Sequence, residues 1–395
     1  METPLGRTET PPDTTKTLLD TSRTHLETTR SPLEATETPP DPTVTPREPT
    51  ESPRGTTCPP PTRWGICSAG KISHDFLVAL RTLPPEEHLA VAVAARELSR
   101  AQQYAQLHGV ARAYGSYEEL ARDPQVDVVY VGTVNPQHLP ATLLFLRARK
   151  AVLVEKPLGI SAREAKEMAA AAREAGVFLM EGFWTRFFPA WKRLRALVDE
   201  GALGECRVLQ GALAFPLRAV ERLREPSLGG GALLDLGGYG LQMASALLGR
   251  GCPPLRLRAE GSLHPSGVDE TVTLTLQYEG GKQAALTVSM DAKLPGGAAL
   301  GGTRGWVEIP SHLNCPTELI WEGKREVFPL PPPVEPLNYP NSTGLRYEAQ
   351  HVRECLLKGL TESPVMTLAE SELIAEMMDE ARRQVGAVGP GGTVA

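Results

Sequence analysis

The alternation of apolar and polar positions changes character twice along the chain. From Met1 to about Pro61 there is almost none, because Thr, Pro, Ser, Glu, Asp and Arg predominate and aliphatic residues are few. Such a stretch cannot bury enough apolar area to offset its conformational entropy, so residues 1–61 are expected to form a disordered tail. From Arg63 onward, short apolar runs alternate with amphipathic ones. Trp64–Cys67, His88–Ala94, Val126–Val131, Ala151–Val154 and Val177–Met180 read as strands apolar on both faces. Between them Ile72–Thr82, Leu98–His108, Tyr117–Arg122, Pro140–Arg149 and Ser161–Ala175 carry helical periodicity. Strands buried on both faces and separated by helices predict a doubly wound parallel sheet over 62–188, the Rossmann arrangement.

After Phe188 the rhythm changes. A helix over Ala190–Glu200 leads into runs with a period of two: Cys206–Phe215, Leu255–Leu263, Thr271–Tyr278, Gln283–Met290 and Gly305–Ile309. Glycine-containing turns such as Glu279-Gly280-Gly281 separate some of them. This pattern predicts an α+β domain over 189–385 with an open, mainly antiparallel sheet, interrupted by a helix at Ala232–Leu248. Helices at Leu345–Lys358 and Leu368–Val385 finish the domain, the second placed to pack back on the first domain. Residues 386–395 are read as a flexible end. The fold class is therefore α/β.

Composition narrows the function. The net charge of −6 comes with no Lys/Arg stripe, which argues against nucleic acid as a partner. No apolar run approaches the roughly 18–20 residues that span a bilayer, and no basic start precedes an apolar segment. The 6 cysteines are scattered without a C-x-x-C pair, as expected of reduced thiols in a cytoplasmic protein. No metal-ligand spacing emerges either, and no metal is expected.

The chemistry starts at the end of the first strand. Ser68-Ala69-Gly70-Lys71-Ile72-Ser73 occupies the place of a G-x-G-x-x-G fingerprint between a strand and a helix, with Ser68 where the first glycine would stand. Gly70 would admit a pyrophosphate, the N–H groups of Lys71 and Ile72 would face it, and Ser73 is small enough for close helix–strand contact. The second strand ends in Ala94-Ala95-Arg96, with Arg100 one turn on. An acidic residue here would select the ribose 2′-hydroxyl of NAD, whereas a guanidinium suits the 2′-phosphate of NADP. NADP is the expected cofactor. The loop after the fourth strand carries Thr133 and His138, and His138 has two open readings: facing substrate, or bonding neighbouring backbone.

The next strand ends in Val154-Glu155-Lys156-Pro157. With the nucleotide fold, this Glu-Lys-Pro makes the chain resemble the glucose–fructose oxidoreductase/inositol dehydrogenase (Gfo/Idh/MocA) family. Further segments carry the resemblance: Ala113–Leu120, Trp184–Pro189, Gly231–Asp235, Gly267–Asp269 and Glu370–Leu373. It spans Arg63 to Val385. The resemblance implies a dehydrogenase with a nicotinamide cofactor that contacts the Thr133 loop and Glu155-Lys156. It implies substrates with adjacent hydroxyls on a six-membered ring, such as D-xylose or trans-dihydrodiols of aromatic hydrocarbons. It also implies a homodimer that buries the uncovered sheet face. Two alternatives stand beside it: another sugar, inositol or carbonyl substrate, or a non-catalytic NADP-binding scaffold.

Oxidising an alcohol requires removal of the hydroxyl proton as hydride leaves the same carbon. Tyr239 is the candidate base. A phenol near ~10 is a weak base at neutral pH, and the Lys156 ammonium would lower that value from within about 4–6 Å. Asp235, four positions before Tyr239, shares its helix face and would orient Lys156 or bond a substrate hydroxyl; otherwise it caps the helix after Gly229-Gly230-Gly231. The resemblance implies the same roles for Lys156, Asp235 and Tyr239, with His138 holding substrate. Gly238 and Gly240 flank the tyrosine at a helix cost of about 1 kcal/mol each relative to Ala. Trp184, Arg186 and Phe187 follow the sixth strand and either line the substrate cleft or pack between domains.

Overall fold

A computed structural model describes residues 59–389. The rest of the expected tail, and 390–395, lie outside the described residues. Within the expected tail, the Pro59 and Pro60 carbonyls accept hydrogen bonds from Arg353.

Six strands form the first sheet: β1 (Thr62–Cys67), β2 (His88–Ala94), β3 (Arg112–Tyr114), β4 (Val128–Val131), β5 (Ala151–Glu155) and β6 (Leu179–Gly182). Their order is β3-β2-β1-β4-β5-β6 and every pairing is parallel. Helices α1 (Lys71–Leu80), α2 (Leu98–His108), α3 (Tyr117–Arg122), α4 (His138–Arg147) and α5 (Ala162–Ala175) form the crossovers. The chain leaves β1 toward one side and β4 toward the other, so the loops after these two strands diverge and open a crevice at their carboxyl ends. The three-residue β3 went unpredicted because Arg-Ala-Tyr carries too short a pattern.

Helix α6 (Pro189–Asp199) leads to an eight-stranded sheet. Its strands are β7 (Cys206–Ala214), β8 (Arg256–Leu263), β9 (Asp269–Gln277), β10 (Gln283–Ser289), β11 (Ala298–Gly302), β12 (Trp306–Ile309), β13 (Glu318–Trp321) and β14 (Lys324–Val327), in the order β14-β13-β12-β11-β7-β10-β9-β8. All pairings are antiparallel except β7 with β10, which run parallel. The Ala-Ala-Leu-Gly-Gly of β11 lacks the β-branched residues that mark a strand, and β13 and β14 are short, so the pattern missed all three.

A short α7 (Glu221–Arg224) precedes α8 (Gly238–Ala244), which is flanked by π-helical turns at Leu233–Gly237 and Ser245–Gly249. Asp269, not Asp235, caps this helix: its Oδ2 accepts from Leu233 N at 2.6 Å. Gly231, at φ +112, must be glycine, since a Cβ there would lie 2.4 Å from Asp269 Oδ1. The flanking glycines of Tyr239 serve close packing. A Cβ on Gly238 would meet Phe183 at 2.7 Å, and one on Gly240 would meet Leu286 at 3.1 Å.

Helices α9 (Leu345–Leu357) and α10 (Leu368–Val385) return to the parallel sheet. The α10 helix lies against α5 through the Lys166–Glu376 and Arg173–Glu372 pairs. The chain end is better held than a flexible tail from 386 would be. Ala387 is buried, and Val388 N donates to Gly267 O at 2.8 Å. No helix among the described residues is long and apolar enough to cross a membrane.

Candidate active site

The fingerprint loop has the geometry of a phosphate cradle. Gly70 precedes α1 in extended conformation, and no side chain caps the helix, so its first N–H groups are open. Ser68 stands at φ +96, a backbone conformation natural to glycine, so the loop keeps its fold despite the substitution. The Gly70 carbonyl accepts from Tyr104 Oη at 2.9 Å and the Ala69 carbonyl from Arg100 Nη2 at 3.0 Å. Arg100 thus braces the loop. Arg96 is exposed just past β2. Ser73 packs so tightly under β4 that a Cβ on Gly132 would lie 2.5 Å from its hydroxyl.

On the β4 side, Thr133 Oγ1 is buried without a partner among the described residues. Open helix N–H groups, an exposed guanidinium at the second strand end and an orphaned hydroxyl fit a nicotinamide dinucleotide. His138 lies against backbone carbonyls on both sides. Its ring is 1% exposed, with Nδ1 2.7 Å from Pro157 O and Nε2 3.2 Å from Thr133 O. A neutral imidazole donates to one of these two carbonyls, so it holds either the Thr133 loop or the segment after β5 through backbone. Burial lowers its pKa, outweighing these bonds.

Lys156, Asp235 and Tyr239 come together. Lys156 Nζ donates to Asp235 O at 2.9 Å, lies 3.6 Å from Asp235 Oδ1, and stands 5.3 Å from the centre of the Tyr239 ring. Arg222, which no sequence signal singled out, places Nη1 and Nη2 each 3.1 Å from Asp235 Oδ1. Burial pushes the Asp235 carboxyl up, but Lys156 and then Arg222 outweigh it and hold it below its ordinary value. The expected lowering of the Tyr239 phenol is not observed. Burial, then Glu155 and Asp235, drive it well above 10, while Lys156 Nζ stands over the ring face and donates to Asp235 O.

Glu155 points inward: Oε1 accepts from Tyr130 Oη at 2.6 Å, and Oε2 from Lys156 N at 3.3 Å. Burial raises its pKa despite these bonds. Of the three residues after β6, Trp184 stays beside Tyr239, its buried indole N–H directed at the phenol, whose pKa it lowers against the larger effect of burial. Arg186 is a packing residue, 3% exposed and paired to Glu370 at 2.6 Å. Phe187 packs on His351, ring centres 4.7 Å apart.

Comparison with known proteins agrees with this geometry. Residues 62–183 match the GFO_IDH_MocA model, an oxidoreductase family with an NAD-binding Rossmann fold, and residues 191–308 match the GFO/IDH/MocA C-terminal domain. The trans-1,2-dihydrobenzene-1,2-diol dehydrogenase of Danio rerio is 52% identical over 326 residues, 82% of this chain and 97% of that protein. The Homo sapiens enzyme of that name is 48% identical over 83% of this chain and 98% of its own length. Among solved structures, an Actinomadura kijaniata 3-ketoreductase with bound NADP is 25% identical, with TM-score 0.68 over 82% of this chain and 98% of that one. An aldose–aldose oxidoreductase from Caulobacter crescentus, 24% identical with TM-score 0.70 over 82% of this chain and 97% of that one, shares the fold. A nucleotide crevice at the β1/β4 divergence, the Glu-Lys-Pro strand end and relatives that match nearly their whole length lead to one conclusion: this chain is an enzyme of the Gfo/Idh/MocA oxidoreductase family.

Proposed function

We propose that this enzyme is an NADP-dependent dehydrogenase that oxidises vicinal ring hydroxyls, in trans-dihydrodiols of aromatic hydrocarbons and in D-xylose, with Tyr239 exchanging the substrate proton. The convergence of Lys156, Asp235 and Tyr239 at one spot carries the proposal. The name of the relatives supports the dihydrodiol substrate. The exposed Arg96 supports NADP over NAD. When bound, the nicotinamide takes up or supplies the hydride.

The protein's own residues handle the proton. Tyr239 Oη is the group exchanging a proton with the substrate oxygen, and Lys156 supplies positive charge over the phenol ring. Asp235, itself held by Arg222, fixes the ammonium in place. Trp184 Nε1–H lies beside the phenol and supports the Tyr239 oxygen as a donor. His138 positions the loop beneath through backbone and is not itself in the proton path.

The raised phenol favours a second reading in which Tyr239 is neutral at neutral pH and acts as proton donor in carbonyl reduction. Alcohol oxidation then accelerates with pH, because the base form accumulates only toward alkaline solution. The test is titration of NADP and NAD separately, followed by assay of trans-benzene dihydrodiol and D-xylose with wild type and Tyr239→Phe. Loss of the phenol should lower kcat by about 10²–10⁴ with cofactor affinity unchanged. A Tyr239→Phe enzyme within a few-fold of wild type would overturn the assignment.

The open sheet face exposes Val208, Gln210, Thr273, Thr275 and Ala285, which supports pairing with a second copy; light scattering at micromolar concentration tests it. Buried free thiols at Cys67, Cys206, Cys315 and Cys355 support a cytoplasmic location.

A further inference from the structure

Away from the crevice, a second set of ligand-bearing side chains converges. His74 lies on α1, His108 ends α2, and Glu335 belongs to the 329–340 segment that crosses α1. His74 Nδ1 and His108 Nε2 are 3.1 Å apart, with the rings edge to face and their centres separated by 4.8 Å. One ligand atom from each of His74, His108 and Glu335 lies within 4.8 Å of the others.

Three features prepare these groups as ligands. His74 Nε2 lies 2.9 Å from Pro336 O, and donating to that carbonyl selects the tautomer whose Nδ1 lone pair faces the cluster. Metal-bound imidazoles carry the same kind of outer hydrogen bond. His108 is buried at the end of α2 and turns its Nε2 toward His74 Nδ1. Arg81, 2.6 Å from Glu335 Oε1, anchors that carboxylate beside the two rings. Without a cation, the facing nitrogens must share one proton, and His108 Nδ1 is buried with no partner among the described residues.

We propose that His74, His108 and Glu335 bind a divalent first-row transition cation, with Zn²⁺ suited to two imidazoles and a carboxylate and a water completing the coordination. The sequence reading expected no metal because its three donors come from distant segments and form no short motif. The cation would cross-link α1, α2 and the crossing segment, which already grips α1 where Asn338 N and Tyr339 N each donate to Asp75 at 2.9 Å.

The test titrates Zn²⁺, and Co²⁺ as a spectroscopic probe, into the untagged full-length chain after EDTA treatment. Expected are one equivalent per chain, a higher thermal midpoint with Zn²⁺, and a Co²⁺ spectrum without a thiolate charge-transfer band. His74→Ala should weaken binding at least tenfold, Glu335→Gln should weaken it too, and His264→Ala should leave it unchanged. NADPH binding in each variant reports folding; if His74→Ala does not fold, Glu335→Gln decides. A wild type without affinity at micromolar Zn²⁺, a thiolate band, or unchanged affinity in the variants would overturn the site.

Discussion

Replacing Arg186 separates two roles that a cationic residue beside an active site can play. The guanidinium is 3% exposed, donates to Glu370 Oε2 and Oε1 at 2.6 and 2.8 Å, and also reaches Gln242 Oε1, Gln242 O and Val365 O. Arg186→Met keeps most of the aliphatic volume and removes all five bonds. Glu370 is then left with the 3.3 Å bond from Ser245 as its remaining side-chain contact. Removing one partner of a buried pair costs about 3–5 kcal/mol, mostly from the charge left uncompensated. With an unfolding entropy near ~2.1 cal/mol/K per residue over roughly 330 residues, 4 kcal/mol corresponds to a fall of about 6 °C in Tm. Urea unfolding and calorimetry measure it, and Arg186→Met/Glu370→Gln should recover much of the loss, because the stranded carboxylate is gone. Folded Arg186→Met enzyme should keep its KM within a few-fold. Unchanged stability together with a tenfold rise in KM would refute the packing assignment and return Arg186 to the substrate.

Two further predictions follow from buried groups near the site. Burial raises the Glu181 carboxyl to about 7, against the opposing bond from Leu158 N, so the folded chain keeps a proton that the unfolded chain releases near ~4.3. Its stabilising contribution is complete below that lower value and is lost as pH rises to about 7, a change of roughly 3–4 kcal/mol. Glu181→Gln preserves an acceptor for Leu158 and should flatten that part of a stability–pH profile, leaving the variant more stable than wild type at pH 8; a parallel profile would contradict it. Gly238→Ala gains about 1 kcal/mol of helix propensity but drives a methyl against Phe183, at an overpacking cost of about 1–3 kcal/mol. Because Phe183 packs edge-on against Tyr239, kcat should fall along with Tm, and a rise in Tm would show that the helix relaxes freely.

Much of the fold was readable from the chain because the parallel strands are buried on both faces and the helices between them are amphipathic. Periodicity therefore marks all of them but the short, half-exposed β3, and His88–Ala94, Leu98–His108 and Tyr117–Arg122 fell where the pattern put them. The fingerprint loop, Arg96, Lys156, Asp235 and Tyr239 were visible because strand ends and helix spacing are local properties. Contacts between distant segments were not. Arg222 reaches Asp235 from a four-residue helix without a pattern of its own, and His74, His108 and Glu335 meet only because the crossing segment folds over α1. The pKa of Tyr239 belongs to this second group. Sequence supplies a lysine that could stabilise phenolate, but the direction of the shift depends on burial and on the Glu155 carboxylate brought in from β5 beside the local Asp235. Charge and solvation act through space, and only the tertiary structure determines which groups share it.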